Sequence, residues 1–191
     1  MLNKIAEFFW RIAGLKTFLT ALLIYIAFAG GVMRTGLQQI QQISGKPVQV
    51  LDLQFSYTPE KARAIIGEYN EASRNFAAMF ELVGDSIYPI VYTFLFLMIM
   101  GWLFKSLSVY GVRVRYIHLL PFLVMLADYG ENTCIITMLK TFPNFSDNVA
   151  WLSSLFTSLK WSLLIVETLI IGAGVWLLTF YRMSKGKAIR W

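Results

Sequence analysis

Charge is what this 191-residue chain has least of: 15% of its residues are Asp, Glu, Lys or Arg, against 57% that are hydrophobic, and its mean hydropathy is +0.59. Soluble domains carry about 25% charged residues. An ordinary cytosolic enzyme and a disordered chain are therefore both excluded. The single cysteine, Cys134, rules out an internal disulfide, a dithiol redox centre and a cysteine-based zinc site. The single histidine, His118, removes the paired-histidine metal motif and most histidine-held cofactors. No glycine-rich phosphate loop, nucleophile elbow or dinucleotide fingerprint occurs, so neither a metal nor a cofactor is expected.

What the chain does have is long apolar runs. A hydrocarbon core about 30 Å thick needs roughly 20 mostly apolar helical residues. Residues 17–33, 86–104, 116–139 and 150–181 meet that need, which predicts an all-α, polytopic four-helix transmembrane bundle. Around them lie an amphipathic segment (1–16), a long first connection (34–85), short connections (105–115 and 140–149) and a basic tail (182–191).

The basic residues fall on alternate connections. The N-terminal segment, the second connection and the tail hold ten Lys or Arg against one acid, Glu7. The first and third connections hold six basic residues against seven acids. This distribution predicts N-in/C-in topology in a multi-pass membrane protein. A bacterial plasma membrane is the expected location, the charge pattern itself being common to bacterial and organelle membranes. The formal charge of +6 then points to anionic lipid headgroups and not to nucleic acid. Ala27-Phe28-Ala29 resembles a signal-peptidase site, but the long basic segment before it and the consistent four-span pattern favour a retained span. Ala27 and Gly31 offer a small-xxx-small surface for helix packing. Trp10, Trp102, Trp151 and Trp191 are expected at the membrane interfaces.

Between the spans there is punctuation. Leu2, Ile5, Phe8, Phe9 and Ile12 recur at helical spacing opposite Lys4, Glu7 and Arg11, which predicts an interfacial amphipathic helix. Val48 to Phe55 has an extended-strand composition. Thr58-Pro59-Glu60 is a helix start, Asn70 can cap a second helix, and Asp85 can cap the second span. The 34–85 connection is thus expected to form a mostly helical external cap.

Inside the spans sits an unusual polar set. Asp128, Glu131 and Asn132 share one face of the third helix, and Ser153, Thr157, Lys160 and Glu167 form one stripe on the fourth. The short turn between these helices places Lys160 level with Asp128 and Glu131. The preceding turn places Tyr92 and Thr93 at the depth of Asp128, with Tyr88 one turn away. A central Asp or Lys costs about 2.5–3.5 kcal/mol to insert, so both spans need the cluster to neutralise itself. Three acids against one lysine cannot all be ionised in hydrocarbon. At least one carboxyl is expected to hold a proton, or to meet a cation or ligand, with Glu167 the candidate for the proton and Asp128 or Glu131 for coupling to Lys160.

Asp128, Glu131, Asn132, Lys160, Glu167, Tyr88 and Tyr92 are therefore the candidate ligand- or proton-binding residues. Cys134 is expected to be a packing residue and His118 to be interfacial. Three functions fit this pattern. One is binding or transport of protons or of a lipophilic or cationic small ligand. Another is an accessory subunit docked to a partner membrane protein or to a second copy. The third is a lipid isomerase using paired carboxyls.

Overall fold

The structure, a computed structural model, describes residues 2–112 and 116–185. Arg113, Arg115, Lys187, Arg190 and Trp191 lie outside the described residues. Among those described there are helices and no strand. Helix α1 covers Leu2–Ile12 and α2 covers Leu15–Ala27. A π-helical turn, Phe28–Met33, carries α2 without a break into α3, Arg34–Ser44. Then come α4 (Pro59–Gly67), α5 (Glu71–Ser108), a 3-10 turn (Ile117–Leu119), α6 (Pro121–Thr141) and α7 (Asp147–Lys185). Four helices are long and apolar enough to cross a membrane: Leu15–Ser44, Glu71–Ser108, Ile117–Thr141 and Asp147–Ser184.

Two of the helix starts have the predicted local cause. The Thr58 hydroxyl accepts from the Lys61 N–H at 3.3 Å with Pro59 in the first turn, and the Asn70 side chain accepts from the Ser73 N–H at 2.8 Å. The start expected at Asp85 does not occur, because α5 runs on through Asp85 and Pro89. Proline has no N–H, so the Asp85 carbonyl four residues earlier loses its helical partner. The Asn132 side-chain amide of α6 donates to that carbonyl at 3.1 Å, and the Tyr129 hydroxyl donates to the next one, Ser86, at 2.9 Å. Helix α6 thus supplies the donors that α5 lacks. Pro121 occupies the first turn of α6, where its missing N–H costs the helix no hydrogen bond. Val48 to Phe55 forms no strand and turns back on itself at residues 51–55.

Helices α5 and α6 are central, α7 packs against both, and α2 and α3 lean mainly on α5. Half of the most apolar stretch of α5 and of α6 is buried, against 6% for α2–α3 and 17% for α7. The remaining apolar surface, including Leu23, Leu169 and Trp176, points outward from the bundle. Such a large outward apolar surface suits lipid or another membrane chain.

The described parts of the three basic segments gather at one end. Ala13 packs on Gly101, where an added Cβ would lie 2.6 Å from its methyl group, and Lys105 donates to the Ala13 carbonyl at 3.4 Å. Tyr110 stacks on Tyr181 at 5.3 Å, and the Tyr116 hydroxyl donates to Asn3. Only part of the α1 apolar face turns inward: Ile5, Phe9 and Ile12 pack on the core, whereas Leu2 and Phe8 are exposed. His118 is buried under α1; its Nε2 lies 3.2 Å from the Ala6 carbonyl and its ring lies beside Trp10. At the opposite end α4 and the 45–58 connection close over the bundle. There Arg63 meets Asp147 at 2.5 Å and the Phe145 carbonyl at 3.1 Å.

Helix α3 reaches α5 through Gly36, where an added Cβ would stand 2.2 Å from the Phe80 ring. Gly36→Val is expected to cost about 1–3 kcal/mol through overpacking. Thermal unfolding in detergent should show a lowered Tm that Phe80→Leu partly restores. An unchanged Tm would contradict this contact.

Candidate functional site

The i, i+3 spacing on α6 and the antiparallel turn into α7 bring three ionisable side chains to one level. The Lys160 Nζ lies 3.2 Å from Asp128 Oδ1 and also contacts Glu131 Oε2. The second oxygen of each carboxylate takes a hydroxyl. Tyr92 donates to Asp128 Oδ2 at 2.7 Å, and Thr157 donates to Glu131 Oε1 at 2.6 Å. Asp128, Glu131 and Lys160 are all buried. Each carboxylate therefore has one oxygen on the ammonium and one on a hydroxyl, which satisfies the geometry a buried ion pair requires. Above Thr157, the Tyr57 hydroxyl donates to Ser153 Oγ at 2.7 Å and the Tyr57 N–H to Ser154 Oγ at 2.9 Å. Burial pushes the Tyr57 phenol up to about 12, so it remains a proton donor throughout the physiological range.

Three further acids join this group from the part of the chain that the charge pattern assigns to an outer connection. The 45–58 connection folds against α7, where the Trp161 indole N–H donates to the Asp52 carbonyl at 3.1 Å and the Ser158 hydroxyl to the Phe55 carbonyl at 3.0 Å. The Asp52 carboxyl is enclosed within electrostatic reach of Lys160 and Asp128. Asp85, buried on α5, is within reach of Asp52, Asp128 and Lys160, and its carboxyl hydrogen-bonds that of Glu81 one turn earlier. Glu81 in turn lines a cavity of about 20 Å³ with Ile40, Ile66, Tyr69 and Leu139, room for a single water. Four carboxyls thus lie within electrostatic reach of one ammonium, with Glu81 beside one of them.

The sequence contains a signal for two of these three acids. Glu81, Asp85, Tyr88 and Tyr92 recur at helical spacing, once α5 is known to continue through Asp85. Nothing local marks Asp52, which reaches the site through tertiary folding of its loop. Burial holds the Asp52 carboxyl above its ordinary range; Lys160 opposes that rise and Asp128 adds to it.

The other candidates sit around the cluster. Tyr88 hydrogen-bonds Tyr25 at 3.2 Å, stacks on Tyr25 and Phe28, and touches Tyr92 edge-on at 5.4 Å. Asn132 donates to the Asp85 carbonyl, while its own carbonyl oxygen is buried without a partner. Glu167 is fully buried, and neither of its carboxyl oxygens has a hydrogen-bond partner. Cys134 is buried and free. Among the described residues no three His, Cys, Asp or Glu side chains form a group that could hold a metal ion. The acids are strung along the bundle and do not converge on a point. Compared with protein-family models, curated proteins and solved structures, the chain matches none.

Lys160→Met removes the one cation that faces these acids and is expected to cost about 3–5 kcal/mol. Thermal unfolding should show the loss, with partial recovery in Lys160→Met combined with Glu131→Gln. No recovery would mean that the cation acts through packing alone. A second expectation concerns pH. The native Asp52 carboxyl binds its proton more tightly than the unfolded chain does, so its contribution is present below the ordinary value of 3.8 and is lost as pH rises from there through the raised native value. Over that rise Asp52→Asn should lose less stability than the wild type, as measured by Tm against pH. Parallel curves would contradict the raised value.

Proposed function

We propose that this chain is a multi-pass integral membrane protein of a bacterial plasma membrane, with both termini on the cytoplasmic side, whose interior carboxyl cluster takes up and releases protons. The observation that carries the proposal is the imbalance at Lys160. Asp52, Asp85, Asp128 and Glu131 lie within its electrostatic reach, and Glu81 is bonded to Asp85. One ammonium neutralises one carboxylate. The others reach neutrality in an apolar interior only by binding protons or cations. Their arrangement favours protons, because the oxygens of Asp128 and Glu131 are already committed to hydroxyls and to Lys160, and among the described residues the acids form no group that could hold a metal ion.

The orientation is supported by the gathering of α1, Lys105, Tyr110, Tyr116 and the end of α7 at one end of the bundle, with α4 and the 45–58 connection at the other. The basic end then faces anionic headgroups. A second reading, an accessory subunit, is favoured by α2. This helix buries little of its apolar surface and offers it to a partner membrane chain or a second copy. An isomerase is disfavoured, because Asp128 and Glu131 each have one oxygen on the same lysine and the other on a hydroxyl, which leaves neither with an oxygen open to a substrate.

Infrared titration of the reconstituted, ion-free protein tests the proton reading. Protonated carboxyls should be present near neutral pH and should titrate away reversibly as pH rises. Asp85→Asn and Glu131→Gln should each reduce that signal. If every carboxyl of the cluster is ionised across the neutral range, the reading fails.

A further inference from the structure

The polar groups do not end at Lys160. Two turns further along the same face of α7 lies Glu167, fully buried, with both carboxyl oxygens unpartnered. The ionisable groups toward it are Tyr92 from α5, which lies within electrostatic reach, Asp128 from α6, which holds the Tyr92 hydroxyl, and Lys160 on its own helix. None of them hydrogen-bonds it. As an anion Glu167 has no counter-charge in contact, and as an acid its O–H has no acceptor. A permanent structural role would provide one or the other.

Its place in the bundle suggests what it is for. From Glu81 to Tyr92 is roughly 16 Å along α5, and from Lys160 to Glu167 roughly 10 Å along α7, at about 1.5 Å per residue. The polar file thus covers about 25 Å of a hydrocarbon core about 30 Å thick. Toward the basic end it is followed by an apolar layer of Met100, Leu103, Phe104, Leu107 and Leu178. Gly174 on α7 admits Leu103 so closely that an added Cβ would stand 2.5 Å from it.

We infer that Glu167 is the inner station of a proton path that starts at Glu81 and runs through Asp85, the Asp128–Lys160–Glu131 group and Tyr92, and that the Leu103 layer is its barrier. The path rests on the proton-binding reading of the cluster. A proton arriving on Asp128 frees the Tyr92 hydroxyl to turn from Asp128 toward Glu167; Tyr92 then gives its proton to the Glu167 carboxylate and takes the Asp128 proton in exchange, so Tyr92 ends the step unchanged. Glu167 then loses the proton toward the basic end when the apolar layer parts.

The test is proton flux into vesicles of neutral and anionic phospholipid containing the full chain and an internal pH dye, driven by a potassium diffusion potential. The wild type should carry protons faster than protein-free vesicles, and Glu167→Gln should lower that flux at least tenfold. Glu167→Asp, which keeps a titratable carboxyl, should retain part of it. Leu103→Ala should raise the flux, and Leu103→Ala combined with Glu167→Gln should bring it back down, which separates a path through Glu167 from leakage through a damaged fold. Wild-type flux equal to that of empty vesicles, or a Leu103→Ala increase that survives Glu167→Gln, overturns the path. Infrared titration of the cluster distinguishes the failures: an intact titration leaves the proton-binding reading standing, and a lost one removes both.

Discussion

The ammonium of Lys160 is the charge on which the interior depends. It sits where α5, α6 and α7 meet, far from bulk water, and holds one oxygen of Asp128 and one of Glu131. Taking such a group out of water costs several kcal/mol, recovered only when geometry and further hydrogen bonds are good. The structure supplies them from two helices: Tyr92 of α5 completes Asp128, and Thr157 of α7 completes Glu131. The same arrangement fixes the register of three helices. A one-residue slip of α7 would rotate Lys160 about 100° away from the acids.

Around that charge, the fold solves two backbone problems with the same polar stripe. Pro89 leaves a carbonyl open in α5, and Asn132, one residue from Glu131, closes it. The 45–58 connection has no strand partner, and Trp161, one residue from Lys160, anchors its backbone at Asp52. The residues that hold the helices together are thus neighbours in sequence of those that carry the charge. A change at one will be felt at the other through shared backbone, not only through space. Outside this zone the packing is mainly apolar, with isolated polar contacts at the two ends, and much of the surface of α2 and α7 turns away from the chain.

The spans and the central triad were legible in the sequence because both follow from periodicity. Apolar runs mark the helices, and i, i+3, i+4 spacing together with a short turn level Asp128, Glu131 and Lys160. The illegible features all depend on tertiary contacts. Asp85 looks like a helix cap because Asp before an apolar run usually is one, and only a donor from α6 lets α5 pass through Pro89. His118 stands near a span end, and nothing local shows that α1 folds over it. Asp52 stands in a stretch of strand-like composition whose backbone is anchored at Asp52 by a helix about a hundred residues on. Counting charge by connection assigned Asp52, Glu81 and Asp85 to the outside, so the excess of carboxyls over the lysine is larger than the spans alone reveal.

The central claim is that one ammonium leaves most of the buried carboxyls to be neutralised by protons. The most direct test is the difference in bound protons between native and unfolded protein at neutral pH, by potentiometric titration in detergent with no other cation that binds carboxylates. The account predicts that the native protein holds more protons than the unfolded chain and releases them on unfolding. Equal proton counts in the two states would contradict it.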